Sequence, residues 1–191
     1  MTSDTLLSIF LGIGLSASVG FRVFLPMFAL SLAAYFNLWE LNESWLWLGS
    51  TMTVITLGIA TIVEVAAYYI PVIDNALDAI AIPLATIAGT AVMVSTVADL
   101  SPLDTWALAI IAGGGTAAAI KTSASTTRLG STVSTAGFGN PIITTIETVI
   151  AFVMSVVSIF LPIVAIFLVF LILYFVVKLF KKLKSNKSKS T

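Results

Sequence analysis

The stretch LLSIFLGIGLSASVGFRVFLPMFALSLAAYF, residues 6–36, decides how this chain is read. Apart from a few serines it is apolar, and it carries one charge, Arg22. A guanidinium stays protonated in any protein, and at the centre of a bilayer it costs about 2.5 to 3.5 kcal/mol on insertion scales. Such a group needs compensation. Glu64 and Glu147 lie in two further apolar stretches, so a carboxylate can reach a buried cation without leaving the membrane. Ionisable groups of opposite sign inside a membrane mark a candidate functional site.

The rest of the chain agrees with a membrane setting. Apolar residues make up 59% and charged residues 9%, whereas an ordinary soluble domain carries about 25% charged residues. We therefore expect an all-α integral membrane protein. Its 191 residues have room for about six crossings of roughly 20 residues each and little else. Cys and His are absent, which removes disulfides, thiol chemistry and nearly every zinc or copper site. No metal and no cofactor is expected. Met1 and the residues after it lack a basic n-region, so the first span reads as retained and not as a cleaved signal.

Apolar blocks fall at residues 6–36, 45–70, 76–98, 105–120 and 142–177. At 1.5 Å per residue the first and last would each exceed about 45 Å as one straight helix, against a hydrocarbon core of about 30 Å. Pro162 splits the last block, because it lacks an N–H and disfavours helix in the residue before it. Gly20 and Pro26 flank Arg22, which predicts a kinked or broken helix in the first block. Six crossings result. Loop charges give an independent test: Glu40 and Glu43 lie in residues 37–44, Asp99 and Asp104 in 99–104, and neither loop has a basic residue. Lys121 and Arg128 belong to the segment 121–140, and the C-terminal tail holds Lys178, Lys181, Lys182, Lys184, Lys187 and Lys189. Six crossings with both termini cytoplasmic put the basic segments inside and the acidic loops outside. Trp39, Trp45, Trp47 and Trp106 then form an outer aromatic belt. One transmembrane domain is expected over residues 1–184, followed by a disordered Lys/Ser-rich cytoplasmic tail, 185–191.

Asp4-Thr5 is followed by a small-residue run that ends on Arg22, and Asp104-Thr105 by a similar run that ends on Lys121. Glu64 and Glu147 come downstream in each case. Halves of 1–98 and 104–184 would each hold three crossings, an odd number, so the second half would enter from the opposite side. That is the inverted 3+3 repeat of many transporters. Close helix packing alone also enriches Gly, Ala and Ser. Segment 121–141 is rich in hydroxyls, Ser123 among them, and also carries the Asn140 amide. It reads either as a re-entrant or unwound element lining a site or as an exposed cytoplasmic loop.

The strings GFRVFLP (20–26), IPVIDNALDAIAIPLA (70–85) and STAGFGNP (134–141), together with Glu64, Arg128 and Glu147, carry a family resemblance. The chain resembles, over nearly its whole length, a prokaryotic polytopic membrane family catalogued as a domain of unknown function. The resemblance implies a multi-pass protein of the bacterial plasma membrane and brings no activity with it. The Arg-to-Pro element alone is similar to one in the DedA-type lipid-carrier flippases.

Asp74 and Asp78 are four apart and share a helix face. They could hold a cation or relay a proton, or Asp74 or Asn75 could simply cap a helix. No nucleophile and base pair is marked, and the Gly113-Gly114-Gly115 run lacks the Gly-Lys-Ser/Thr of a nucleotide loop, so an enzyme is not expected. The favoured reading is a small transporter or lipid-carrier translocase for an anionic small molecule or lipid phosphate. In it Arg22, Lys121, Arg128, Ser123 and Asn140 bind the substrate, and Glu64, Asp74, Asp78 and Glu147 couple protons or cations. The alternative is a membrane scaffold or assembly factor whose charges only pin helices. The bilayer is the expected partner and nucleic acid is not; a homo-oligomer stays open.

Overall fold

The computed structural model describes residues 3–97, 100–135 and 137–188. It is a bundle of helices: α1 (Ser3–Val19), α2 (Phe24–Tyr35), α3 (Thr51–Ala67), α4 (Pro71–Thr96), α5 (Pro102–Leu108), α6 (Gly115–Thr135), α7 (Asn140–Phe160) and α8 (Pro162–Ser188). A 3-10 helix at Glu43–Gly49 precedes α3, and a π-helical insertion at Ala109–Gly114 joins α5 to α6. No strand occurs among the described residues. Asp99, Ala136 of the STAGFGNP string and tail residues 189–191 lie outside them.

The bundle buries a set of charges beside its apolar core and exposes large apolar side chains. Arg22, Arg128 and Lys121 are the three largest fully buried side chains, while Met52, Ile55, Ile59 and Ile62 on α3 and Phe167, Phe170 and Leu171 on α8 are exposed. Such an arrangement suits a bilayer, where the outer surface meets hydrocarbon and charges must face the interior. Three helical stretches are long and apolar enough to cross a membrane: Ala76–Thr96, Pro102–Thr135 and Asn140–Phe160. The 3-10 helix and α3, bent by 67° at Ser50, make a fourth if they act as one span. Ser3–Val19, Phe24–Tyr35 and Pro162–Lys178 are apolar but shorter. Among the described residues, length and composition alone thus support three or four of the six expected crossings: the first apolar block breaks into two short helices, and Pro162–Lys178 is short as well.

α1 is the packing centre, with α4, α7 and α8 all against it. Its buried face is made of small residues, including Gly12, Gly14, Ser16, Ala17 and Ser18, and small residues let helix backbones approach closely. The Ser16 hydroxyl donates to the Gly89 carbonyl of α4 at 2.9 Å, and that of Ser18 to the Ala151 carbonyl of α7 at 2.6 Å. Both serines tie helices together instead of lining a wet cavity.

Two local expectations are corrected. Segment 121–141 is neither unwound nor a loop: α6 continues through Thr135, and a short turn leads into α7 at Asn140. Several of its hydroxyls are satisfied within the helix, as Thr122, Thr126 and Thr127 donate to carbonyls four residues earlier, the back-bonding open to Ser and Thr. Nor is Asp74 or Asn75 a cap. α4 starts at Pro71 with Ile70 as its cap residue, since proline suits the first helical position. Asp74 therefore lies within the first turn.

α4 and the π-helical insertion meet at glycine. A Cβ on Gly113 would stand 2.6 Å from the Gly89 carbonyl oxygen and 2.6 Å from Met93 Cβ. Backbone cannot yield there as a flexible side chain can. Gly113→Ala should destabilise the protein by about 1 to 3 kcal/mol, the usual cost of overpacking. Gly115→Ala, where a Cβ meets nothing within 4 Å, is the control in the same detergent unfolding measurement.

Candidate functional site

Three helices and one helix break converge on a buried ionic cluster. Between α1 and α2 the chain leaves helix at residues 20–23, which turns the Arg22 side chain inward, where it is 1% exposed. α6 supplies Lys121 and Arg128, seven residues and so two turns apart on one face. α4 supplies Asp74 and Asp78 at a spacing of four, and α7 supplies Thr144, Glu147 and Thr148 at spacings of three and four. Each helix thus turns one polar stripe to the middle.

Glu147 is the hub carboxylate. Its Oε2 accepts from Arg22 Nη1 at 3.1 Å and from Arg128 Nη2, and Arg128 Nε lies 3.2 Å from both its oxygens. Arg22 also donates from Nε to the Thr148 hydroxyl at 3.0 Å and from Nη2 to the Thr144 carbonyl at 2.9 Å. Arg128 Nη1 bonds Asp74, and its Nη2 donates to the Thr144 hydroxyl at 3.1 Å. Every nitrogen of both guanidiniums therefore has a protein acceptor. Lys121 Nζ lies 3.7 Å from Asp78 Oδ1 and donates to the Tyr68 hydroxyl at 3.2 Å.

Glu64 stands apart from these pairs. Its Oε1 accepts the Val23 N–H at 2.7 Å and its Oε2 the Phe24 N–H at 2.9 Å. Those are free donors at the start of α2, whose cap residue, Val23, makes no side-chain cap bond. A carboxylate there meets unpaired N–H groups and the positive end of the helix dipole. Of the two glutamates considered as partners for Arg22, the structure pairs Glu147 with it and gives Glu64 to the helix break.

The other expected site residues are spread around the cluster. The Asn140 amide donates to Asp74 Oδ2 at 3.4 Å and to the Thr132 hydroxyl at 3.1 Å, so it braces Asp74. Ser123 is buried and lines a crevice of about 220 Å³ among α6, α7 and α8. Phe21, Ile120, Ile146 and Val176 form apolar walls of that crevice, and Glu147 lines it too.

Tyr68, just past α3, was not singled out from sequence. Its ring centroid lies 4.2 Å from Arg22 Cζ, 4.7 Å from Arg128 Cζ and 5.1 Å from Lys121 Nζ. One aromatic ring thus serves three cations. The available signal was its spacing of four from Glu64, which puts both on one face of α3, but a tyrosine at the end of a span ordinarily reads as part of an interfacial belt. Tyr68→Phe keeps the ring and loses the Lys121 hydrogen bond, and should cost about 1 kcal/mol. Tyr68→Leu should cost about 2 kcal/mol more, the scale of a desolvated cation–π contact. Equal losses in the two variants would show that the ring itself contributes nothing.

Comparison with known proteins adds membership without chemistry. No curated protein and no solved structure matches the chain. A family model matches residues 9–182, a span that takes in every residue of the ionic cluster. The chain belongs to the family described as a domain of unknown function, DUF4126.

Proposed function

We propose that the protein is a small multi-pass transporter for an organic anion in the bacterial plasma membrane, with proton exchange at Glu147 as the coupling step. It crosses six times with both termini cytoplasmic, in two inverted halves of three: α1 with α2, α3 and α4, then α5 with α6, α7 and α8. The observation that carries the reading is the sharing of one carboxylate, Glu147, by two guanidiniums. With every group ionised, Arg22, Lys121 and Arg128 balance Asp74, Asp78 and Glu147, while the charge of Glu64 is taken up by the N–H groups opening α2. An anion entering this balanced, buried cluster would add one uncompensated negative charge, which is costly in a low dielectric. A proton taken up by Glu147 restores neutrality and frees two forked donors at once. Anion and proton therefore move together, and without the anion the cluster reseals on Glu147.

A structural role is the second reading, favoured by the engagement of every guanidinium nitrogen with protein. Proteoliposomes that enclose a pH-sensitive dye separate the two. Inward gradients of monocarboxylates should acidify the lumen above the protein-free background, and Glu147→Gln should abolish that proton flux while anion exchange persists. If wild-type protein moves neither protons nor labelled anions across a panel of monocarboxylates and phosphate esters, and Thr127→Cys at the crevice is equally reactive with and without them, the scaffold reading replaces transport.

A further inference from the structure

The crevice among α6, α7 and α8 ends on Glu147, the same residue that both arginines hold. Most of its wall is apolar, made by Phe21, Ile120, Ile143, Ile146, Ile150 and Val176, with Ser123 and Thr127 as the hydroxyls along it. Ile146 is 53% exposed, so the mouth lies on the outer face of the bundle, on helices apolar enough to face hydrocarbon. We propose that this crevice seats the hydrocarbon chain of a carboxylate amphiphile, whose headgroup takes the place of Glu147 between Arg22 and Arg128. This names the substrate class of the proposed transporter and rests on that reading.

Charge and shape select the headgroup. An amphiphilic cation in the place of Glu147 would stand against Arg22 and Arg128, the two guanidiniums that Glu147 pairs, and be repelled. A phosphate monoester carries about 1.5 to 2 negative charges and a third acceptor oxygen, more than one proton on Glu147 offsets. A carboxylate replaces like with like: one charge, planar, two oxygens, matched to guanidinium forks. The chain then stays in the apolar crevice, and the molecule can enter sideways from the bilayer without crossing water.

The test uses the full-length protein in nanodiscs, with Glu147→Ala to vacate the carboxylate position. Acetate and octanoate are the probes, and octyltrimethylammonium and octyl phosphate are the controls. Both carboxylates should raise the melting temperature of Glu147→Ala. Octanoate should act at a concentration lower by on the order of tenfold, as burial of even two methylenes gives. Adding Ile143→Trp to fill the crevice should erase the octanoate advantage and leave the acetate effect. Acetate and octanoate acting alike would overturn the seat for the chain and leave anion transport standing. Greater stabilisation by octyltrimethylammonium or octyl phosphate than by octanoate would overturn the carboxylate class. No response to acetate or octanoate would overturn this inference, and the transport reading falls with it when octyl phosphate is also without effect. If Glu147→Ala does not fold, a diazirine-bearing fatty acid on wild-type protein replaces it: labelling should fall on Phe21, Ile146 or Val176, and labelling confined to α3 would overturn the proposal.

Discussion

Glu147→Ala is expected to destabilise the protein by about 3 to 5 kcal/mol, the cost of leaving a buried charge without its partner. Here two charges lose it, because Arg22 and Arg128 both bond Glu147. Arg128 keeps Asp74; Arg22 retains the neutral oxygens of Phe21, Thr144 and Thr148 and the Tyr68 ring, with no carboxylate bonded to it. The unpaired cost should therefore fall mainly on Arg22. A second change, Arg22→Leu, removes that cation and should recover a large part of the loss, with a coupling of about 0.5 to 3 kcal/mol. Arg128→Leu in the same background should recover less, since it leaves Asp74 stranded. Reversible unfolding in mild detergent measures all of these. Additive losses for Arg22→Leu and Glu147→Ala would show that the pair contributes nothing to stability.

The fold and the cluster were legible to different depths. Arg22 and Glu147 could be read from sequence because a charge in an apolar run has to be compensated, and Lys121 and Arg128 as the cations of the hydroxyl-rich segment 121–140; the structure brings all four together. The break beside Arg22 was legible as well, from Gly20 and Pro26. Helix 121–135 was not, because Ser and Thr look like loop residues until their hydroxyls bond the carbonyl one turn back, a pairing that hydropathy does not register. Tyr68, Thr144 and Thr148 were invisible for a related reason. Their roles depend on which faces of α3 and α7 turn inward, and these residue types carry no charge to demand an explanation. Glu64 shows the limit most sharply: it shares with Glu147 the signal of a glutamate in a span, yet its partners are backbone amides exposed by the break.

That difference yields the remaining large effect. The Glu64 carboxylate accepts two N–H donors in a buried position, and hydrogen bonds to a charged group are worth about 1.5 to 3 kcal/mol each. Glu64→Ala should cost about 3 kcal/mol or more, since it leaves both donors unmet. Glu64→Gln tests the charge without altering the shape. An amide offers one carbonyl oxygen, and its NH₂ must face the second N–H, so Gln should fall nearer to Ala than to the native Glu. The local readout is hydrogen exchange. In Glu64→Gln the Val23 and Phe24 amides should lose protection beyond what the change in global stability accounts for, whereas Glu147→Ala should leave them no less protected than neighbouring core amides. Arg22→Leu, which rescues Glu147→Ala, should not rescue Glu64→Gln, because removing the guanidinium does nothing for amides that lack an acceptor. Unchanged protection at Val23 and Phe24 in Glu64→Gln would mean that the break between α1 and α2 is held by packing alone, and that Glu64 has another task.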